Sequence, residues 1–153
     1  MRIDQSVATM QEALAAAGPH PDHIGHLMLF GQFVGAWDLD WTGWESDGST
    51  RTAVGEWHFG WVLEGRAVQD VWIVPSRAAR AETGAAAGEY GTTIRFYDPR
   101  LEKWRITWNG PVNGAVRTFT AARSGDEIVL EGTSSEGLPM RWIFSDITPT
   151  SFR

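Results

Sequence analysis

Two hydrophobic rhythms divide the chain. Over the first 18 residues, Ile3, Val7, Met10 and Leu14 recur at spacings of four, three and four, which is one face of a helix. Asp4 or Ser6 can cap its start, and Gly18-Pro19 offers a left-handed cap followed by a helix breaker. The spacing predicts an amphipathic helix over 3–17 that lies on a larger body and covers one of its ends. Gln5, Gln11 and Glu12 make this segment too polar for a secretory leader, so a cytoplasmic location is expected.

From Ala36 onward the period changes from 3.6 to 2. In GAWDLDWTG (35–43), Trp37, Leu39 and Trp41 alternate with Asp38 and Asp40. In RTAVGEWHFGWVL (51–63), Trp57, Phe59 and Trp61 oppose Glu56 and His58. RAVQDVWIV (66–74) is apolar on both sides. TTIRFYD (92–98) sets Ile94 and Phe96 against Arg95 and Tyr97, and KWRITWN (103–109) sets Trp104, Ile106 and Trp108 against Lys103, Arg105 and Thr107. GAVRTFTAA (114–122), DEIVLEG (126–132) and MRWIFSD (140–146) complete eight predicted strands, and TPTSFR (148–153) has room to begin a ninth. Gly- and Asp-containing pairs punctuate the runs, and the connections are too short for parallel crossovers. Only PSRAARAETGAAAGEYG (75–91) is long enough for a surface loop or a lid.

A sheet of eight strands with one strongly apolar face must bury it, either in a sandwich or by curling into a barrel that also removes its edges. A barrel of about eight strands is filled by side chains or holds one small ligand. The expectation is a mainly β, antiparallel barrel of eight to ten strands with one N-terminal helix. It forms a single domain over 1–153, with the barrel itself over 35–153.

Composition narrows the functions. The 153 residues include 9 Trp, 17 Gly and no Cys, and the net charge is −6. The missing cysteines exclude disulfides, thiolate metal sites and cysteine nucleophiles. Acidic balance with scattered basic residues argues against nucleic acid as a partner, and no apolar run is long enough for a membrane helix.

Two stretches carry a family likeness. GAW (35–37), preceded by FGQFV (30–34), resembles the G-x-W start of lipocalin-like barrels, in which the Trp seals the base of the first strand. GEWHFGWVLEGRAVQDVWIVP (55–75), GTTIRFYDPRLEKWRITW (91–108), GDEIVLEG (125–132) and RWIFSDITPTSF (141–152) together resemble an uncharacterised bacterial family of lipocalin-like (calycin-type) β-barrels. The resemblance covers most of the chain after residue 30 and implies a small, largely apolar ligand inside the barrel. It departs from the family in lacking a T-D-Y motif and the further hairpin that usually follows the position of Phe152. A barrel closed with fewer strands, or completed by a second copy, is the consequence, and a homodimer is expected.

The inward aromatic set, Trp37, Trp41, Trp57, Phe59, Trp61, Trp104, Trp108 and Trp142, either fills the barrel or lines a ligand chamber. Trp72 and Phe96 join it as ligand-binding candidates, with Gln69, Asp70 and Asn109 giving polar orientation. A carboxylate at Asp70 inside a barrel needs a cation, from Arg66, Arg95, Arg105 or Arg141. Glu56 and His58 share a strand face. If the protein is an enzyme, they and Asp70 are its acid–base candidates, for cyclising or isomerising a polyketide-like or terpenoid-like substrate. His20, His23 and His26 in PHPDHIGH are read as loop residues, because Pro19, Pro21 and Gly25 disrupt helical spacing. No metal or other cofactor is expected, and neither phosphate-cradle nor serine-hydrolase motifs occur. Binding of a small hydrophobic or aromatic molecule is the leading expectation, beside the enzyme and a filled barrel acting as an interaction domain.

Overall fold

The computed structural model describes residues 7–83 and 88–153. Eight antiparallel strands follow one another as a meander: β1 (Gly35–Trp44), β2 (Thr50–Val62), β3 (Ala67–Val74), β4 (Glu89–Asp98), β5 (Lys103–Gly110), β6 (Ala115–Ser124), β7 (Glu127–Thr133) and β8 (Pro139–Phe144). Their one sheet curls strongly into a half-barrel. Trp57 on β2 lies 5.5 Å from Phe144 on β8, although β3 to β7 separate them in the sheet. Strands β1 and β8 are its two edges.

The register explains which side of each strand is inside. Trp57 stands opposite both Trp37 and Trp72, Phe59 opposite Asp70, Trp108 opposite Thr93, and Ile106 opposite Arg95. Because side chains alternate, all of these share the inner face, and their even- or odd-numbered neighbours point out. Strand β4 therefore runs in the opposite phase to the one its apolar residues suggest. Arg95 and Tyr97 face inward and Ile94 and Phe96 outward, with Phe96 45% exposed. Cross-strand partners, not the strand's own hydrophobicity, decide its orientation.

The expected N-terminal plug comes from a different segment. Helix α1 (Val7–Leu14) lies within the predicted span, but Met10 on its apolar face is 63% exposed. Ile3 and the capping candidates Asp4 and Ser6 lie outside the described residues. The end of α1 instead ties to the rim of β2, where the Leu63 N–H donates to Leu14 O and the Ala16 N–H to Trp61 O, both at 2.9 Å. Helix α2 (Ile24–Gly31) is the plug. Its Leu27 and Phe30 are buried, and the Phe30 ring meets Trp104 edge-on at 4.9 Å and Phe144 at 5.7 Å. A Cβ at Gly31 would overlap the Trp61 ring, so glycine lets the helix settle on β2. The loop expected around the histidines ends at His23, whose φ of 59° turns the chain into α2. Downstream, Gly65 (φ +77°) makes the β2–β3 turn where a Cβ would collide with the Gly18 carbonyl.

Within the predicted long loop lie helix α3 (Arg77–Thr83) and the start of β4. Arg80 holds the segment by donating to the carbonyls of Val74, Pro75 and Glu89 at 2.9–3.0 Å. Arg77 pairs with Glu56 on the outer face of β2, so α3 docks outside the half-barrel rather than over its interior.

No ninth strand forms among the described residues. Ser145 and Arg153 exchange two backbone hydrogen bonds of 2.8 Å, and the tail folds back on itself. This places Phe152 between the sheet's edges, 4.8 Å from Trp37 and 5.7 Å from Phe144. The tail thus closes part of the gap between β1 and β8.

Candidate functional site

The interior has a solid end and a hollow end. At the α2 end, Leu27, Phe30, Phe33, Phe59, Trp61, Trp104, Ile106, Phe119, Ile128, Leu130 and Phe144 form one continuous buried cluster. Beyond it opens a cavity of about 1010 Å³, within the size range of ligand chambers. Its inner wall is aromatic: Trp37, Trp41, Trp57, Trp72, Trp108 and Trp142 contribute, with Leu39, Phe144 and Phe152. Asp38 and Asp40 on β1, Arg141 and Ile143 on β8, and Thr150 to Arg153 of the tail also border it. Both faces of the two edge strands are represented, so the cavity opens sideways through the gap between β1 and β8.

The indoles are positioned by one another. Trp72 meets Trp57 edge-on at 4.8 Å, and Trp108 meets Trp142 at 6.2 Å. Gly91, opposite Trp72, makes room for Trp108: a Cβ there would strike the Trp108 ring and lie 2.6 Å from the Asn109 carbonyl. Trp37 donates its indole N–H to the Phe33 carbonyl at 2.7 Å, which fixes the base of β1 to the chain leaving α2.

The cavity floor is polar. Arg95 is 1% exposed, and its Nη2 lies 2.5 Å from Oδ2 of Asp70, itself 1% exposed. Asp70 also accepts the Thr93 backbone N–H at 3.1 Å. The guanidinium lies 5.2 Å from the Phe30 ring, 5.3 Å from Phe59 and 6.0 Å from Phe144, a cation held among aromatic faces. Of the four arginines considered as partners for Asp70, β4 supplies the one on the inner face. Arg95 and Thr93 border the cavity, whereas Asp70 lies behind them.

Of the candidates from sequence, Trp37, Trp57, Trp72, Trp108 and Trp142 come together in the cavity wall. Phe59, Trp61 and Trp104 face inward but belong to the solid end, where α2 packs on them. Gln69, Phe96 and Asn109 are on the outer face, because Gln69 stands opposite Ile94, Phe96 opposite Ala67, and Asn109 opposite Thr92. Gln69 spends its amide on the Thr92 hydroxyl at 2.9 Å.

Glu56, His58 and Asp70 do not form one constellation. Asp70 shares the inner face with Phe59, while Glu56 and His58 are outside. There the His58 Nε2 lies 2.9 Å from Glu56 Oε2, and Arg77 Nη2 lies 2.6 Å from the same oxygen. The Arg77 hydrogen bonds, followed by His58, hold the Glu56 carboxyl down to about 2. That network fastens α3 to the sheet. His20 contacts Arg66 at 2.9 Å, apart from His23 and His26, whose rings lie 6.3 Å from each other and 5.8 and 4.1 Å from Tyr97; His26 belongs to α2 rather than to the expected loop. No group of three or more His, Asp or Glu side chains able to hold a metal ion occurs among the described residues.

Sequence reasoning missed Thr93, Leu39, Phe144 and Phe152 as wall residues. The signal for Thr93 was available in the hairpin register, since an inward Trp108 carries Thr93 inward with it. Comparison with family models, curated proteins and solved structures finds no match for this chain. No helix among the described residues is long and apolar enough to cross a membrane.

Proposed function

We propose that the chain binds a small hydrophobic, ring-bearing molecule inside a lipocalin-like half-barrel. The observation that carries this is the cavity of about 1010 Å³, walled by six indoles and open to solvent through the β1–β8 gap. Indole faces give large apolar contact area and favour flat rings by edge and stacked geometries. The polar residues at the gap keep the mouth wet while the wall behind them is apolar, the usual arrangement for a chamber that admits and then desolvates a ligand.

Titration with N-phenyl-1-naphthylamine tests the reading. Saturable enhancement of probe emission is expected, and Leu39→Arg, which puts a charge into the wall, should abolish it with an unchanged far-UV circular dichroism spectrum. A wild-type protein that gives no saturable signal refutes it. The homodimer expected from the sequence has a matching rationale, because a second copy pairing along β1 or β8 would cover the open edges. Light scattering on the eluting protein should return twice the chain mass, and a single-chain mass at high concentration refutes that pairing.

A further inference from the structure

The chamber floor presents donors without acceptors. Nε and Nη1 of Arg95 and Nε1 of Trp57 are buried, and none finds a hydrogen-bond acceptor among the described residues; Asp70 Oδ2, also buried without a hydrogen bond, is held in the ion pair with Arg95 Nη2. Both side chains border the cavity. They also converge on the same two rings. Trp57 lies 4.7 Å from Phe59 and 5.5 Å from Phe144, and the Arg95 guanidinium lies over those two rings from its own strand. An indole and a guanidinium can only donate, so the set asks for an oxygen with free lone pairs.

Charge then chooses the kind of oxygen. Asp70 already neutralises Arg95 from behind, at 2.5 Å and out of reach of the cavity. A ligand carboxylate at this floor would bring a second anion to one cation in a dry, aromatic setting, which is unfavourable. A neutral carbonyl oxygen accepts two hydrogen bonds and adds no charge. We propose that the Arg95 and Trp57 donors make the chamber selective for apolar molecules that carry a neutral carbonyl oxygen, such as aromatic ketones or quinones, over carboxylates and over plain hydrocarbons. This rests on the ligand-binding reading above and specifies its polar end.

Three probes of one shape class separate the two claims: 2-acetylnaphthalene, 2-isopropylnaphthalene and 2-naphthoate, measured by equilibrium dialysis at pH 7. The ligand oxygen exchanges its hydrogen bonds with bulk water for those to the buried donors, so the gain is a net difference, on the scale of about tenfold in affinity. The ketone is expected to bind about tenfold tighter than either analogue. Trp57→Phe keeps a ring but removes one donor, and should reduce the preference for ketone over hydrocarbon severalfold. The paired replacement Arg95→Met with Asp70→Leu removes the floor without stranding a charge, and should abolish the preference. Equal binding of ketone and hydrocarbon overturns the carbonyl assignment but leaves the apolar chamber standing, and so does a preference for naphthoate. A preference that survives both variants also overturns it. If none of the three binds, the chamber reading itself falls.

Discussion

The buried pair of Asp70 and Arg95 is the most demanding feature of the half-barrel, and a double-mutant cycle measures it. Both side chains are almost fully excluded from solvent, with 0% and 1% of their surface exposed. Removing one partner from such a pair destabilises by about 3–5 kcal/mol, because the other charge stays buried without compensation. For Asp70→Leu the surviving guanidinium keeps its three phenyl faces, and cation–π contacts offset roughly 1 kcal/mol. A loss of about 3 kcal/mol is therefore expected. Arg95→Met strands a carboxylate that retains the Thr93 N–H, and a similar loss follows. Replacing both by apolar residues of matching bulk, Asp70→Leu with Arg95→Met, removes both desolvation costs, so the double variant should lie within about 1 kcal/mol of the parent. The coupling is then about 5–7 kcal/mol, read from urea unfolding at pH 7 followed by circular dichroism. Single variants that each lose less than 1 kcal/mol, or losses that simply add in the double variant, refute the buried-pair argument.

Other parts of the fold make their own predictions. Phe30→Ala removes the ring that α2 drives into the solid end, and should cost about 3–5 kcal/mol in the same urea assay. Gly91→Ala forces a Cβ against Trp108 and the Asn109 carbonyl. It should cost about 1–3 kcal/mol and shift the tryptophan emission maximum; an unchanged spectrum and midpoint would show that the indole does not lie across β4. Glu56 has a folded pKa of about 2 against an ordinary 4.5, so its stabilising contribution is complete above pH 4.5 and lost as pH falls towards 2. With Arg77 61% exposed, that contribution is about 1 kcal/mol, and Glu56→Gln should flatten the acid limb of the stability curve by that amount. Ligand binding should survive this substitution, because Glu56 lies outside the half-barrel.

Most of the fold was legible because period-2 alternation is strong wherever Trp or Phe marks the inner face. Strands β1, β2 and β5 carry such marks, and their boundaries fall within a residue or so of those the sequence predicts. Strand β4 misled because Ile94 and Phe96 are apolar and outward, while the inward Thr93 and Arg95 are polar. Arg95 was visible only as one of several partners for Asp70, since pairing of charges depends on register, which one strand alone does not encode. The plug was misassigned for a related reason. The apolar face of α1 has the better helical spacing, but Leu27, Phe30 and Phe33 have the greater burial. Burial of aromatic rings outweighs regular spacing when two short segments compete for one barrel end. Phe152 was not legible at all as a wall residue, because its place depends on the tail's return to Ser145.

The alternatives of a filled and a hollow barrel turn out to describe two ends of one interior, and Arg95 stands at the boundary. Its guanidinium lies over Phe30, Phe59 and Phe144, all members of the solid cluster, yet it also borders the cavity. A packing role alone would be met better by an apolar side chain, since a buried pair rarely outperforms its hydrophobic replacement in stability. The cluster at the α2 end supplies enough buried aromatic surface to tolerate that deficit. The polar floor is therefore understood more economically as a feature of the chamber than of the core. The division also separates the consequences of mutation. Changes at the α2 end should move stability, and changes at Leu39 or Trp57 should move binding with the fold intact.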